Sequence, residues 1–409
     1  MAQHAIFTED MKKTHTILVP NMLPVHFDLF ISMFRKYGYN MELLRSSERA
    51  VVDEGLKNVH NDTCYPALLV IGQFLEALNS GRYNPDRVAL LITQTGGGCR
   101  ASNYIHLLRK AIAKKYPQVP VISLNFSGLE KESSLPLSAP IFLKLLYCAM
   151  YGDLLMTLYN QCKPYEKIPG ASDNCLKQCQ HRLEKTLDSS AYLSLERNCK
   201  TILDDFARIE RSKEKKIRVG IVGEIYVKYS PLANNHLEEF LIREGCEPIV
   251  PPLLEFIMYC ASSTMMNGKL YGYRSKETTF NGIGYKLIYA KQKQLIKIMK
   301  KHGVFEPFHD FEELRENADR FISQGVSMGE GWLIPAEMAM LAATGTNNII
   351  SAQPFGCLPN HIVAKGMARA IKEAYPNANI VAIDYDPGAT SVNQENRIKL
   401  MLANAALES

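Results

Sequence analysis

Along the first third of the chain, short apolar runs alternate with longer stretches in which apolar residues recur at helical spacing. Thr16-Ile17-Leu18-Val19-Pro20 predicts a buried strand, and residues 25–37 an amphipathic helix. Residues 41–44 suit a second strand, and Cys64 opens a helical stretch to about residue 78. Val88-Ala89-Leu90-Leu91-Ile92-Thr93 is a third strand, running into a triglycine turn. Residues 102–115 return to helical spacing before a strand over 119–125. Strands spaced by helices of this length predict parallel βαβ units.

The pattern changes at about residue 140. From there to 211 the chain reads as helix, with many charges after Lys163. A second alternating region then begins with the strand Ile217-Arg218-Val219-Gly220-Ile221-Val222. A helix over 234–244 and a strand over 247–250 follow, then helices around 253–266, 285–301 and 311–323. Asn348-Ile349-Ile350-Ser351-Ala352 leads into a turn at Cys357, with a helix over 361–375 and a last strand over 379–383. No repeat of fixed period is present. The expected class is α/β: a first lobe over residues 1–140, a helical connecting segment over 141–214 and a second lobe over 215–409, each lobe with a parallel sheet.

Composition adds limits. The chain is 46% hydrophobic and 22% charged, ordinary for a globular protein, and its net charge of +5 does not argue for nucleic acid. The cluster Arg211-Ser212-Lys213-Glu214-Lys215-Lys216 suits a solvated linker. No run approaches the ~20 apolar residues of a membrane helix. Met1-Ala2-Gln3-His4 lacks the basic start and apolar core of a signal peptide. The expected setting is the cytoplasm, without membrane contact, where the ten cysteines stay reduced or bind metal.

Three of those cysteines stand in turns that open helices: Cys64 in Asn61-Asp62-Thr63-Cys64-Tyr65-Pro66, Cys99 in Gly96-Gly97-Gly98-Cys99-Arg100, and Cys357 in Phe355-Gly356-Cys357-Leu358-Pro359-Asn360. Gly97 and Gly98 let backbone close in on a bulky group, and a helix start favours thiolate over thiol. Ligands of open α/β sheets bind beyond the carboxyl ends of the strands, where Cys99 and Cys357 fall. Three such thiolates could hold an iron–sulfur cluster and leave one iron free. The same placement also suits half-buried structural cysteines. Cys175 and Cys179 share one helix face but have no matching second pair, and the other five cysteines read as core.

Glu224 follows a buried strand in Val222-Gly223-Glu224-Ile225-Tyr226, and Glu330 lies between glycines in Met328-Gly329-Glu330-Gly331-Trp332. Either suits an acid, a base or a cluster neighbour. Asn360 and His361 beside Cys357, and His60 and Asn61 near Cys64, are candidate hydrogen-bond donors to a cluster. Asp384-Tyr385-Asp386-Pro387-Gly388 fits a turn. No phosphate loop, dinucleotide fingerprint or nucleophile elbow is present.

The segments Gln94-Thr95-Gly96-Gly97-Gly98-Cys99-Arg100-Ala101-Ser102-Asn103-Tyr104, His60-Asn61-Asp62-Thr63-Cys64-Tyr65-Pro66, Gly223-Glu224-Ile225-Tyr226-Val227-Lys228-Tyr229 and Gln353-Pro354-Phe355-Gly356-Cys357-Leu358-Pro359-Asn360-His361 resemble the carboxy-terminal region of large activase-related proteins. Those belong to the 2-hydroxyacyl-CoA dehydratase system, alongside benzoyl-CoA reductase-type and double-cubane cluster proteins. The resemblance runs from about residue 13 to 402. It implies Rossmann-like lobes with a [4Fe–4S] cluster in the inter-lobe cleft on Cys64, Cys99 and Cys357. It also implies reduction by a separate ATP-dependent iron–sulfur activase acting in trans, and reductive dehydration or reduction of an acyl-CoA or other small molecule. A homodimer is compatible with it. An [8Fe–9S] double cubane, a zinc site and a non-catalytic scaffold that docks the activase are the alternatives.

Overall fold

The computed structural model describes residues 4–408 except 61, 95–97, 126–132 and 273–275, with the backbone alone at 125, 276–281 and 408. Two four-stranded sheets organise it, both wholly parallel. The first is built from β1 (Thr16–Val19), β2 (Met41–Leu43), β3 (Val88–Gln94) and β4 (Val121–Asn125), in the order β2-β1-β3-β4. The second uses β5 (Arg218–Gly223), β6 (Glu247–Ile249), β7 (Asn348–Pro354) and β8 (Asn379–Tyr385), in the order β6-β5-β7-β8. Each lobe thus runs outward through its second strand, then reverses past its first. That reversal makes a topological switch point, between β1 and β3 in one lobe and between β5 and β7 in the other.

The strands are apolar because helices cover both faces. Ile17 and Val19 face a core shared with the helix Ala139–Cys162, while Leu18 faces the Tyr65–Asn79 helix. Ala139–Cys162 passes by length and composition for a membrane span, yet 72% of its apolar window is buried inside the protein. It serves as the central core helix instead. The connecting segment, Ala139–Cys162, Ala171–Thr186 and Leu195–Ala207, does not stand apart from the second lobe. It shares one core with Leu254, Met258, Leu295 and Phe311 of that lobe's helices.

Several helices depart from the pattern expected of the sequence. Residues 234–244 are not one helix: Pro231–Asn234 and Leu237–Arg243 are separated by Asn235 and His236, both at positive φ (55° and 57°). Leu333–Ala343 is buried at every position from Leu333 to Ala342, so it lacks the amphipathic stripe that reveals a helix. Arg49–Asn58 and Ser391–Glu408 are further helices that the spacing did not mark.

Candidate functional site at the junction of the lobes

The loops that follow the strands next to each switch point carry the chemistry. Cys99 follows β3, Glu224 follows β5, and Cys357 follows β7. Cys64 and Glu330 come from turns before the helices that lead into β3 and β7. Cys64 is the N-cap of Tyr65–Asn79, with Pro66 in the first turn, as its sequence predicts. Cys99 is the N-cap of a short 3₁₀ turn, Arg100–Asn103. Cys357 precedes a π-turn at Pro359–Ala364 rather than an ordinary helix start.

Close backbone contacts bring these turns together. Tyr65 N donates to Phe355 O at 3.0 Å, tying the Cys64 turn to the Cys357 turn. Gly356 has φ +74°, and a Cβ there would stand 3.1 Å from Cys64 Cα and 3.3 Å from Arg100 Nη1. Arg100 in turn donates to Asp62 O at 2.6 Å. On the other side Gly329, at φ +57°, has room for no Cβ: it would lie 2.7 Å from Pro359 Cγ and 3.7 Å from Cys99 Cβ. Glu330 Oε1 accepts a hydrogen bond from Ile225 N at 3.0 Å, locking its loop to the one that bears Glu224. All three cysteines and both carboxyls therefore meet where the two lobes touch.

Burial sets their protonation. Cys64 and Cys357 are 5% and 8% exposed, and Cys99 is half-buried. The helix-start placement expected to favour thiolate is present, but its effect is overruled. Burial raises the Cys64 thiol despite hydrogen bonds from the Tyr104 hydroxyl (2.7 Å) and the Ala67 amide. Burial, reinforced by Glu330 and Glu224, pushes Cys99 up to about 11 and Cys357 higher still. The Asn360 amide donates to Cys357 Sγ at 3.2 Å and partly opposes that rise. Glu224 is pushed to about 8 by burial and then by the Glu330 charge, although Val227 N donates to its Oε2 at 2.9 Å. Glu330 is raised by burial, against the pull of the Ile225 amide.

Other expected residues fall elsewhere. His361 and His60 are exposed, and His60 Nδ1 accepts from Asp62 N instead. Gly98 is exposed with φ +68° and Met328 Cγ 3.6 Å from where its Cβ would be. Gly97 and Asn61 lie outside the described residues. Sequence reasoning passed over Tyr104 as a partner of Cys64 and Lys228 as one turn beyond Glu224. It also read Cys260 as core, whereas Cys260 is exposed and feels the charge of Glu330. Its place in an apolar stretch gave no sign of that. Cys175 and Cys179 are remote from this junction, on the Ala171–Thr186 helix, where Arg182 Nη2 stands 3.3 Å from Cys179 Sγ.

Among the described residues, no three His, Cys, Asp or Glu side chains are gathered to hold a single metal ion. A mononuclear ion needs every donor about 2.3 Å from one point. A polynuclear cluster needs only one thiolate per ligated iron. The junction offers buried thiols, with an amide donor on one sulfur. Among the described residues Asn360 Oδ1 and the Gln353 amide, both buried near the Cys357 turn, have no partner and mark further unused polar capacity. The chain matches no family model, no curated protein and no solved structure. Functional assignment rests on the chemistry of this junction.

Proposed function

We propose that Cys64, Cys99 and Cys357 hold a [4Fe–4S] cluster in the cleft between the lobes, and that the chain is a reductive dehydratase or reductase component. Its electrons would come from a separate ATP-dependent iron–sulfur activase, as the resemblance to the 2-hydroxyacyl-CoA dehydratase system implies. The observation that carries the reading is the convergence of three thiols, distant in sequence, through the contacts of Gly356 with Cys64 and Gly329 with Cys99. Such a cluster supplies low-potential electrons and a Lewis-acidic iron when bound.

The protein's own groups have defined parts in this chemistry. Glu224 and Glu330 keep a proton on the pair near neutral pH and present it beside the thiols, as a general acid requires. The Asn360 amide and the Tyr104 hydroxyl fix the sulfurs of Cys357 and Cys64 and lower the cost of negative charge on them. The short approach at Gly356 and Gly329 keeps the cysteine turns close-packed.

Reconstitution with iron and sulfide under exclusion of oxygen tests the assignment. About four irons per chain are expected, against about eight for a double cubane. Cys64→Ser, Cys99→Ser and Cys357→Ser should each lose the visible and EPR signals, while Cys175→Ser retains them. Iron uptake that survives the triple variant, or no uptake by the wild type, overturns the reading.

A further inference from the structure

Behind the junction lies a second buried polar centre. Lys228 sits one turn beyond Glu224, its amide donating to Glu224 O at 2.7 Å. Its Nζ donates to Glu337 Oε1 at 2.8 Å, with the two side chains only 3% and 2% exposed. Glu337 Oε2 is buried and has no hydrogen-bond partner among the described residues. Glu255, 2% exposed, interacts through charge with Glu337, Lys228 and Asp153. An unpaired buried carboxyl oxygen is costly and requires an explanation.

A cavity supplies one. Glu255 and Glu337 both line a space of about 70 Å³ that extends to Arg218, Glu306 and His309. Arg218 and Glu306 form an ion pair whose side chains are 29% and 64% exposed, so this end of the cavity meets the surface. The volume admits a few water molecules, and Glu337 Oε2 and the Glu255 carboxyl would be their partners.

We propose that Glu255, Glu337 and Lys228 form a proton path from this cavity to the Glu224–Glu330 pair. The inference rests on the reductive chemistry proposed above, because adding electrons to a small substrate consumes protons. Lys228 gives a proton to whichever of Glu224 and Glu330 the reaction has left ionised, breaking one N–H bond and forming one O–H bond. Glu337 relays the replacement: one O–H bond of Glu255 or of a cavity water breaks, one N–H bond forms at the neutral amine, and the donor draws its proton back from solvent.

The surroundings fit such a role. Burial raises Glu337 and raises Glu255 well above the ordinary carboxylate range. Glu337 faces Lys228 and Glu330, while Glu255 faces Glu337, Lys228 and Asp153. Asp153 is occupied by His26 and by the amides of Leu253 and Leu254, so it does not compete. Tyr229 lies against the centre with its hydroxyl committed to Pro251 O at 2.7 Å. At the other end of the cavity, burial lowers the pKa of His309. A lysine in contact with one carboxyl, with a second carboxyl on the same small cavity, can exchange protons without moving the backbone.

Infrared spectroscopy of the metal-free full chain at neutral pH tests the path first. A protonated, buried carboxyl should give a carbonyl band above the amide region that shifts promptly in D₂O. E255Q and E337Q should each diminish that band. Absence of the band, or a band that withstands D₂O for hours, overturns the proposal, and the wild-type result does so even if a variant fails to fold. The second arm follows proton uptake with an indicator dye as the iron-loaded protein is reduced by titanium(III) citrate. E255Q should slow uptake on the order of a hundredfold while leaving the iron content unchanged. Uptake as fast as in the wild type overturns the path. A chain that binds no iron instead overturns the cluster reading, and the infrared arm then judges the proton pair alone.

Discussion

The two lobes repeat one topology with different chemistry at matching places. Both sheets order their strands second-first-third-fourth, and both place a cysteine after the third strand, Cys99 in one and Cys357 in the other. The turn before the helix that feeds the third strand carries Cys64 in the first lobe and Glu330 in the second. After the first strand the second lobe has Glu224, where the first has Pro20 and Asn21. The fold supplies positions and the individual residues supply function. One lobe brings two thiols to the junction, and the other brings one thiol and two carboxyls whose pKa values are raised.

A second parallel lies deeper. The helix after the first strand of each lobe carries a buried cationic or basic group paired with an acid: His26 with Asp153 at 2.8 Å, and Lys228 with Glu337 at 2.8 Å. Their dependence on the pair differs. Asp153 also accepts from Leu253 N at 2.7 Å and Leu254 N at 2.9 Å, whereas among the described residues Glu337 accepts from Lys228 alone. K228M should therefore cost about 3–5 kcal/mol by leaving a buried carboxyl without its partner. H26L should cost less, about 1–3 kcal/mol. The double variant K228M/E337M should regain much of the first loss. Urea unfolding of the three proteins checks the order, and H26L proving the more damaging would break the parallel.

Contacts across the junction offer a smaller effect. A Cβ on Gly356 of the second lobe would stand 3.1 Å from Cys64 Cα of the first, while one on Gly98 of the first lobe would meet, among the described residues, Met328 Cγ at 3.6 Å. Both have positive φ, so alanine at either carries the left-handed penalty of about 1–2 kcal/mol. G356A must in addition displace Cys64 or Arg100. Its loss of stability should exceed that of G98A, and its thiol at Cys64 should react faster with an alkylating agent. Equal stability and equal reactivity would mean that the cysteine turns are not held by this contact.

The sequence made the strands and the three cysteine turns legible because each rests on a local signal. A short apolar run marks a buried parallel strand, and glycine or proline beside cysteine marks a helix start. The Leu333–Ala343 helix was hidden for the opposite reason: it is buried all round, so its residues carry no periodic contrast. The protonation of the thiols was also misjudged. Helix starts argue for thiolate, but burial and two neighbouring carboxyls act through tertiary packing that no local motif records. The Lys228–Glu337 pair spans 109 positions along the chain and leaves no mark at either residue.

The smallest effect concerns Glu224, for which the first lobe has no counterpart. Its pKa rises from 4.5 to about 8 on folding, through burial and the Glu330 charge. Between those values the native chain binds more protons than the unfolded one, so this group lowers stability as pH rises across that window. Its influence is fully favourable below the unfolded value and levels off above about 8. Glu166, in the connecting segment, runs the other way. Burial pushes it up, but Lys163 and the amides of Ser172 and Gly170 bring it down to about 2. Its contribution is therefore present above 4.5 and is lost in acid as pH falls toward about 2. E224Q should flatten the decline in melting temperature between pH 5 and 8 and leave the acid limb unchanged, whereas E166Q should soften only the acid limb. A slope between pH 5 and 8 that E224Q leaves intact would assign the proton to Glu330 or to the buried acids behind it, and the asymmetry between the lobes would then rest on that deeper centre.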